Sequence, residues 1–410
     1  MPMPTAWRAA MRSDFLVQWI YSCAVGLLIG WVAWGPGRMP LLSMVMPLIM
    51  AIATCRRQAF LVATAYGFAT QRELLQFTVE STSWSAPAPL AAWIVAPVIG
   101  GIAWSLYWTR SSKPWAKALA CLVGWLAVLF PPAGEMVWGS SLAGWGYVVP
   151  GFGWGGVLLS ALVPAIVMVE VTVKQESRQH TRIWVAAVGL VLTVMSFAPR
   201  TVETRIVQDI VGASTDWKTE SPIRFVEQHL PRVSNTARQL AAEKLARVLI
   251  YPAGVVQMVP GEDMQTLMTT MLTLSRETEM TIVLGAVVIA QDTNGGPAHQ
   301  AIAFYPNGKS VVTQGGLLAS PYGALLPAHS VQTLQIRDGL QAQLIPGNPH
   351  AFLFSMLVST WLSPAPLVIA MLDHNSNAVI RAQIQGLTSL FGQKLVIAGT
   401  AHSRLGNAPD

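Results

Sequence analysis

Residues 236–253 read TARQLAAEKLARVLIYPA, a helix that runs directly into a strand. Ala237, Leu240 and Ala241 recur at helical spacing between charged residues, and Val248, Leu249 and Ile250 then form an apolar run that ends at Tyr251-Pro252. Upstream, PIRFVEQHLPRVSNTARQLAAEKLAR (222–247) is amphipathic throughout, with an interruption expected at Pro231. TRIVQDIVG (204–212) is a β-branched run before it. Downstream, 262–280 predicts a second amphipathic helix with Leu267, Met271 and Leu274 on one face, and TIVLGAVVIA (281–290) predicts a buried strand. AHQAIAFYPNGKSVVTQ (298–314) predicts a hairpin turning at Pro306-Asn307-Gly308. LQAQLIP (340–346), PLVIAMLD (366–373) and KLVIAGTAH (394–402) are further strands, with a helix over 378–392 between the last two. Strands that are apolar almost without alternation have both faces covered, so residues 200–410 are expected to form an α/β layered domain.

The other half differs in kind. The chain has 410 residues and carries a net charge of +6. Residues 1–199 hold 12 Lys/Arg and 6 Asp/Glu, whereas 200–410 hold 14 of each, so the excess charge belongs wholly to the apolar N-terminal half. Seven apolar stretches are expected to span a membrane as an α-helical bundle: 15–35, 39–54, 58–71, 89–108, 116–131, 154–172 and 183–199. Ten of the twelve cations fall in alternate connections: Arg8 and Arg12; Arg56 and Arg57; Arg110, Lys113 and Lys117; Lys174, Arg178 and Arg182. The positive-inside rule puts these in the cytoplasm, and seven spans then deliver the second half to the outside. The implied location is a bacterial inner membrane, multi-pass, with a cytoplasmic N-terminus and a periplasmic C-terminal domain. Because the cations serve as loop anchors, no nucleic-acid partner is expected despite the basic balance. Residues 131–155, PPAGEMVWGSSLAGWGYVVPGFGWG, read as a long non-helical outside connection: an interfacial aromatic belt, or a mouth admitting an acyl chain.

Cys23, Cys55 and Cys121 all lie in the first half, so the second half has neither a thiol nucleophile nor a cysteine metal site. His229, His299, His329, His350, His374 and His402 show no metal-ligand spacing, and no cofactor or metal is expected. No nucleophile elbow is present, and Ser355 and Ser359 sit in an apolar helical run as packing residues. Asp373-His374 follows an apolar strand at the edge where α/β sites gather.

Four stretches carry a resemblance. They are residues 38–71, RMPLLSMVMPLIMAIATCRRQAFLVATAYGFATQ; residues 142–160, LAGWGYVVPGFGWGGVLLS; the helix and strand quoted at the outset; and IAFYPNGKSVV (302–312) followed by SPYGALLP (320–327). In order and spacing the chain resembles the apolipoprotein N-acyltransferase family, and more narrowly its plasmid-borne conjugal-transfer TraB relatives. The resemblance implies a nitrilase-like αββα sandwich of the carbon–nitrogen hydrolase superfamily in the periplasm. In that family a cysteine attacks an acyl carbonyl, a glutamate takes its proton and a lysine steadies the oxyanion. The matching positions here read Ala253, Gly316 and Pro346, none of which can do that work. The resemblance thus implies a pseudoenzyme without catalytic residues. Tyr251, Tyr322, Asn348, Asp373 and His374 would line a vestigial pocket, and its partners would be a membrane with a lipid, a lipoprotein or a conjugation-apparatus protein. The alternative is an active N-acyltransferase or amidase with a relocated nucleophile.

Overall fold

The computed structural model describes residues 5–35, 39–72, 87–172, 210–213, 221–258, 264–288, 298–313, 333–337, 340–345, 353–362, 364–372 and 378–399. The chain forms two compact units. The first comprises residues 1–200 together with 378–392, and the second comprises 201–377 with 393–410.

In the first unit, α1 (Thr5–Trp34) lies beside α3 (Arg56–Thr70). Gly26 and Gly30, four apart on α1, face Val62 and then Tyr66 and Ala69 on α3, so the two helices run parallel; a Cβ on Gly30 would come within 2.9 Å of the Tyr66 carbonyl oxygen. Small residues at this spacing let helix backbones approach closely where water provides no hydrophobic drive. Between these helices a 3-10 segment (Pro40–Val45) and the short α2 (Met46–Ile52) return the chain, and a bend at residues 53–55 places Arg56 and Arg57 at the start of α3. The remaining helices are α4 (Pro87–Ser105), α5 (Pro114–Leu129), α6 (Ala133–Met136), α7 (Ser141–Val148), α8 (Gly153–Thr172) and α13 (Ala378–Leu390).

Among the described residues, two helices are long and apolar enough to cross a membrane, Val17–Trp34 within α1 and Gly153–Thr172. The seven-span bundle remains an expectation beyond these two helices. Pro40–Ile52, Leu90–Ser105 and Pro114–Leu129 are apolar but shorter, α3 has 15 residues, and 183–199 lies outside the described residues. On α1, Val17, Ile20 and Leu28 are each more than 60% exposed, a bare apolar face.

Residues 131–155 differ from the non-helical connection expected for them. They form α6, α7 and the start of α8, and Trp138 and Trp145 are buried rather than set in a belt. Their partner is α13. Gly146 and Gly386 bring α7 and α13 into backbone contact, with no room for a Cβ on either. Gln383 accepts hydrogen bonds from the Gly139 and Ser140 N–H groups at 2.9 and 3.1 Å, capping the start of α7 from outside. The Tyr147 hydroxyl donates to the Ala382 carbonyl (3.0 Å), and Ser389 Oγ donates to that of Gly146 (2.8 Å). An aromatic-rich stretch with many glycines thus serves as a tight helix–helix seat.

The second unit holds two sheets. In the first sheet the strand order is β1 (Ile210–Gly212), β2 (Val248–Ile250), β4 (Thr281–Val288), β5 (Ala298–Phe304), β6 (Ser310–Thr313), with β3 (Val256–Met258) also on β4. β1, β2, β3 and β4 are mutually parallel, and β5 and β6 continue antiparallel. The second sheet runs β10 (Lys394–Ala398), β9 (Leu367–Met371), β8 (Leu340–Ile345), β7 (Thr333–Arg337), with β8, β9 and β10 parallel.

Period-2 alternation sorts the first sheet's residues onto its two faces. Leu249, Ile282, Leu284, Ile302 and Phe304 face α9 (Pro222–Gln228), α10 (Leu230–Ala242) and α11 (Met264–Thr278). Val248, Ile250, Val283, Ala301 and Ala303 face Leu344, Ile369, Met371 and Val396 of the second sheet. On the far side of the second sheet, Thr360 of α12 (Leu353–Leu362) reaches the buried Gln343 of β8 at 3.4 Å. The expected α/β layering is present, as a sandwich of two facing sheets with helices outside. The break at Pro231 is present too, since α9 ends at Gln228 and Pro231 falls in the first turn of α10, where its missing N–H costs nothing.

Candidate functional site

The quoted helix–strand unit ends at the site. β2 pairs with β4 only as far as Val283, and β3 rejoins β4 at Ala286. The chain between them, Tyr251 to Val255, makes a tight excursion opposite Gly285. A Cβ on Gly285 would meet the Pro252 carbonyl oxygen and lie 2.5 Å from Ala253 Cα, so only glycine lets the turn sit there. Gly254 completes the turn at φ +69°. Ala253 is 6% exposed, and its side chain joins the apolar layer between the two sheets.

Other strand ends gather at the same place. Ala213 donates to the Ile250 carbonyl (2.6 Å) and accepts from Gly399 N–H (3.2 Å), which ties β1 and β2 to the end of β10. Leu372 N–H donates to the Ala398 carbonyl at 3.0 Å, joining the ends of β9 and β10. Gly399, at φ +117°, leaves no room for a Cβ against the Leu372 carbonyl, and a Cβ there would lie 3.4 Å from the Pro252 ring. Ile345, the last residue of β8, pairs with Ala370 on β9. The carboxyl ends of β1, β2, β8, β9 and β10 therefore share one end of the sandwich, the position at which open α/β sheets bind ligands. A cross-sheet row joins them: Gly285 pairs with Ala301, and Ala301 with Thr313, the last residue of β6.

Of the residues picked out from sequence, Tyr251 and Ala253 are described, and they part company. Ala253 points into the inter-sheet layer. Tyr251, expected in the pocket, points the other way, into the core beneath the helices. It is fully buried, and burial pushes its phenol well above the ordinary tyrosine value, a shift only partly offset by a hydrogen bond with Thr236 of α10. The physical reason is the strand's own alternation: Ile250 faces inward, so the next residue faces outward. Gly316, Tyr322, Pro346, Asn348, Asp373 and His374 lie outside the described residues. The strands that precede them end at this edge. β8 stops one residue before Pro346, Leu372 immediately precedes Asp373, and β6 stops three residues before Gly316. Ser355 is buried in α12, the packing role expected of it. Among the described residues no group of three His, Cys, Asp or Glu side chains is placed to hold a metal ion.

No family model matches the chain. A probable conjugal transfer protein TraB from Sinorhizobium fredii (strain NBRC 101917 / NGR234) is 28% identical over 151 residues, which cover 36% of this chain and 38% of that protein. The match thus spans well under half of either protein. Among solved structures, an amidase from Nesterenkonia sp. overlays with 15% identity and a TM-score of 0.35, covering 47% of this chain and 75% of that one. A mutant of the Nesterenkonia AN1 amidase, of the nitrilase superfamily, overlays with 17% identity and a TM-score of 0.37 over the same shares. Likenesses this slight carry no chemistry across. The α/β sandwich stands on the pairing of its own strands.

The glycine that shapes the site, Gly285, is easy to miss in TIVLGAVVIA, where it reads as a mere weakness of the strand. The signal was available: a lone glycine inside an otherwise apolar strand marks close approach of another backbone.

Proposed function

We propose that the chain is a membrane-anchored, nitrilase-like protein of the conjugal-transfer TraB type whose sandwich binds rather than catalyses. The observation that carries this reading is Ala253. The turn after β2 presents one side chain to the inter-sheet layer at the edge where five parallel strands end, and that side chain is a methyl group. A methyl group moves no proton, and beyond Cys121 the sequence holds no cysteine to supply an acyl-enzyme. The likeness to a TraB-named protein supports the process, and the bare apolar face of α1 supports the anchor.

The anchor is a multi-span bundle with Arg56, Arg57, Arg110, Lys113 and Lys117 on the cytoplasmic side and the sandwich in the periplasm. The parallel course of α1 and α3 agrees with this, because two odd-numbered spans must run the same way. The occupant of the sandwich edge is an acyl chain, a lipoprotein or a component of the transfer apparatus.

The test is conjugation from a donor whose plasmid lacks this reading frame. Transfer falls in the deletion strain and returns when the chain is supplied in trans; transfer at the undiminished frequency overturns the process assignment. Fractionation of the same strain reads the anchor separately, since the full chain stays with membranes washed at high salt. Recovery in the soluble fraction removes the membrane reading.

A further inference from the structure

Where α1 meets the start of α3, two cavities open side by side. One, of about 410 Å3, is lined by Trp19, Cys55, Arg56, Arg57, Leu61 and Trp108 among others. The second, about 310 Å3, is walled by Tyr21, Val25, Ile49, Ile52, Thr54 and Val62 among others. They share Ser22 and Gln58 as walls. The larger one has a cationic and aromatic mouth at Arg56, Arg57 and Trp108 beside the apolar Trp19 and Leu61, the polarity of a single amphiphile.

The mouth is a built site. The Trp108 indole N–H donates to the Ala53 carbonyl at 2.8 Å, which fixes the ring at the bend before α3. The Arg56 guanidinium carbon stands 5.9 Å from the centre of that ring, within cation–π range. The bend itself is held by Gln58, whose Oε1 accepts from the Thr54 N–H and hydroxyl at 2.7 and 2.8 Å. Among the described residues neither Arg56 nor Arg57 has a carboxylate partner, so two adjacent exposed guanidinium groups stand over the cavity uncompensated. Guanidinium pairs match phosphate oxygens geometrically, and tryptophan beside them is the usual furniture of a membrane interface.

We infer that the larger cavity between α1 and α3 binds one anionic phospholipid, with its phosphate on Arg56 and Arg57 and an acyl chain leaving along Trp19 and Leu61. This rests on the membrane reading of α1 and goes beyond it. The site lies at the cation-bearing connection, is formed wholly by the first unit, and involves none of the sandwich residues. It gives the anchor a preference for anionic bilayers, and each basic side chain near such a surface adds to the attraction.

The experiment is native mass spectrometry of the full chain in detergent, titrated with phosphatidylglycerol, with phosphatidylcholine of the same acyl chains, and with glycerol phosphate alone. The wild-type chain retains one phosphatidylglycerol in preference to phosphatidylcholine. Arg56→Gln/Arg57→Gln weakens that binding by roughly tenfold or more. Arg110→Gln/Lys113→Gln removes the same charge outside the cavity wall and leaves it unchanged. Leu61→Trp fills the cavity without altering charge and also weakens binding. Equal retention of the two lipids, glycerol phosphate binding as tightly as the whole lipid, equal losses in the two charge variants, or unchanged binding in Leu61→Trp each overturn the inference. A chain that stays in the membrane fraction yet ignores headgroup charge overturns this inference alone and leaves the anchor intact.

Discussion

Two buried side chains, one in each unit, show how a single polar group fixes local structure. Gln383 is 1% exposed and accepts from two backbone N–H groups at the start of α7. Replacing it with leucine keeps the bulk but leaves both donors buried without that acceptor, at a cost of about 1–3 kcal/mol for an orphaned group. Gln383→Leu should therefore lower the unfolding midpoint of the first unit, followed by the fluorescence of buried Trp138 and Trp145. An unchanged midpoint would mean the amide is not a cap. Tyr251 is the counterpart in the second unit. Its phenol value is raised by burial, so the folded state keeps its proton where the unfolded chain loses it. Stability is then full below the ordinary value of about 10 and falls as pH climbs past it toward the folded value. Tyr251→Phe loses the Thr236 hydrogen bond, about 1 kcal/mol at neutral pH, and should flatten the alkaline fall measured by chemical denaturation across that range. The inward or outward sense of Tyr251 was legible in principle, since counting from the inward Ile250 gives it; a strand-ending aromatic beside a supposed pocket argued the other way.

At the scale of elements, the helices over the first sheet end in the same unusual fashion. Lys244 closes α10 at φ +53° and Glu279 closes α11 at φ +51°. In each case the following N–H reaches back to the last turn: Leu245 to the Leu240 carbonyl (3.0 Å) and Met280 to that of Ser275 (3.2 Å). This is the αL helix stop, which glycine fills without strain. Lys244→Gly should therefore stabilise the second unit by about 1 kcal/mol, read as a higher denaturant midpoint at constant slope. A lower midpoint would show that the lysine side chain matters more than its backbone strain. Apolar periodicity made most of these elements legible: the α9–α10 break, α11, β4, the hairpin and the late strands all fall where the pattern put them. The helical character of 133–148 was hidden, because its glycines read as turn signals. Gly146 is glycine for another reason, the backbone of α13 lying against it. Likewise Gly26 and Gly30 are spaced as a helix-contact pair, a signal the apolar run around them obscured.

At the scale of the molecule, composition and charge asymmetry divide the chain into an apolar basic half and a neutral half in which the α/β sandwich lies. Composition could not reveal that residues 378–392, set between two strands of the sandwich, group with the first unit. Their helix is amphipathic like any crossover helix, and its partner, the aromatic stretch 131–155, lies far away in sequence. The turn that carries Ala253 into the inter-sheet layer follows from the strand–turn pattern of its own sequence, whereas which strand ends meet there is a property of sheet order that local sequence does not carry. The central claim is that this edge of the sandwich has kept its architecture and lost its chemistry. Its most direct test is intact mass of the full chain after incubation with phospholipid and, separately, with an activated acyl ester. The account predicts a mass unchanged by either reagent; a single covalent acyl adduct on a Ser, Thr or His side chain of the second unit would contradict it.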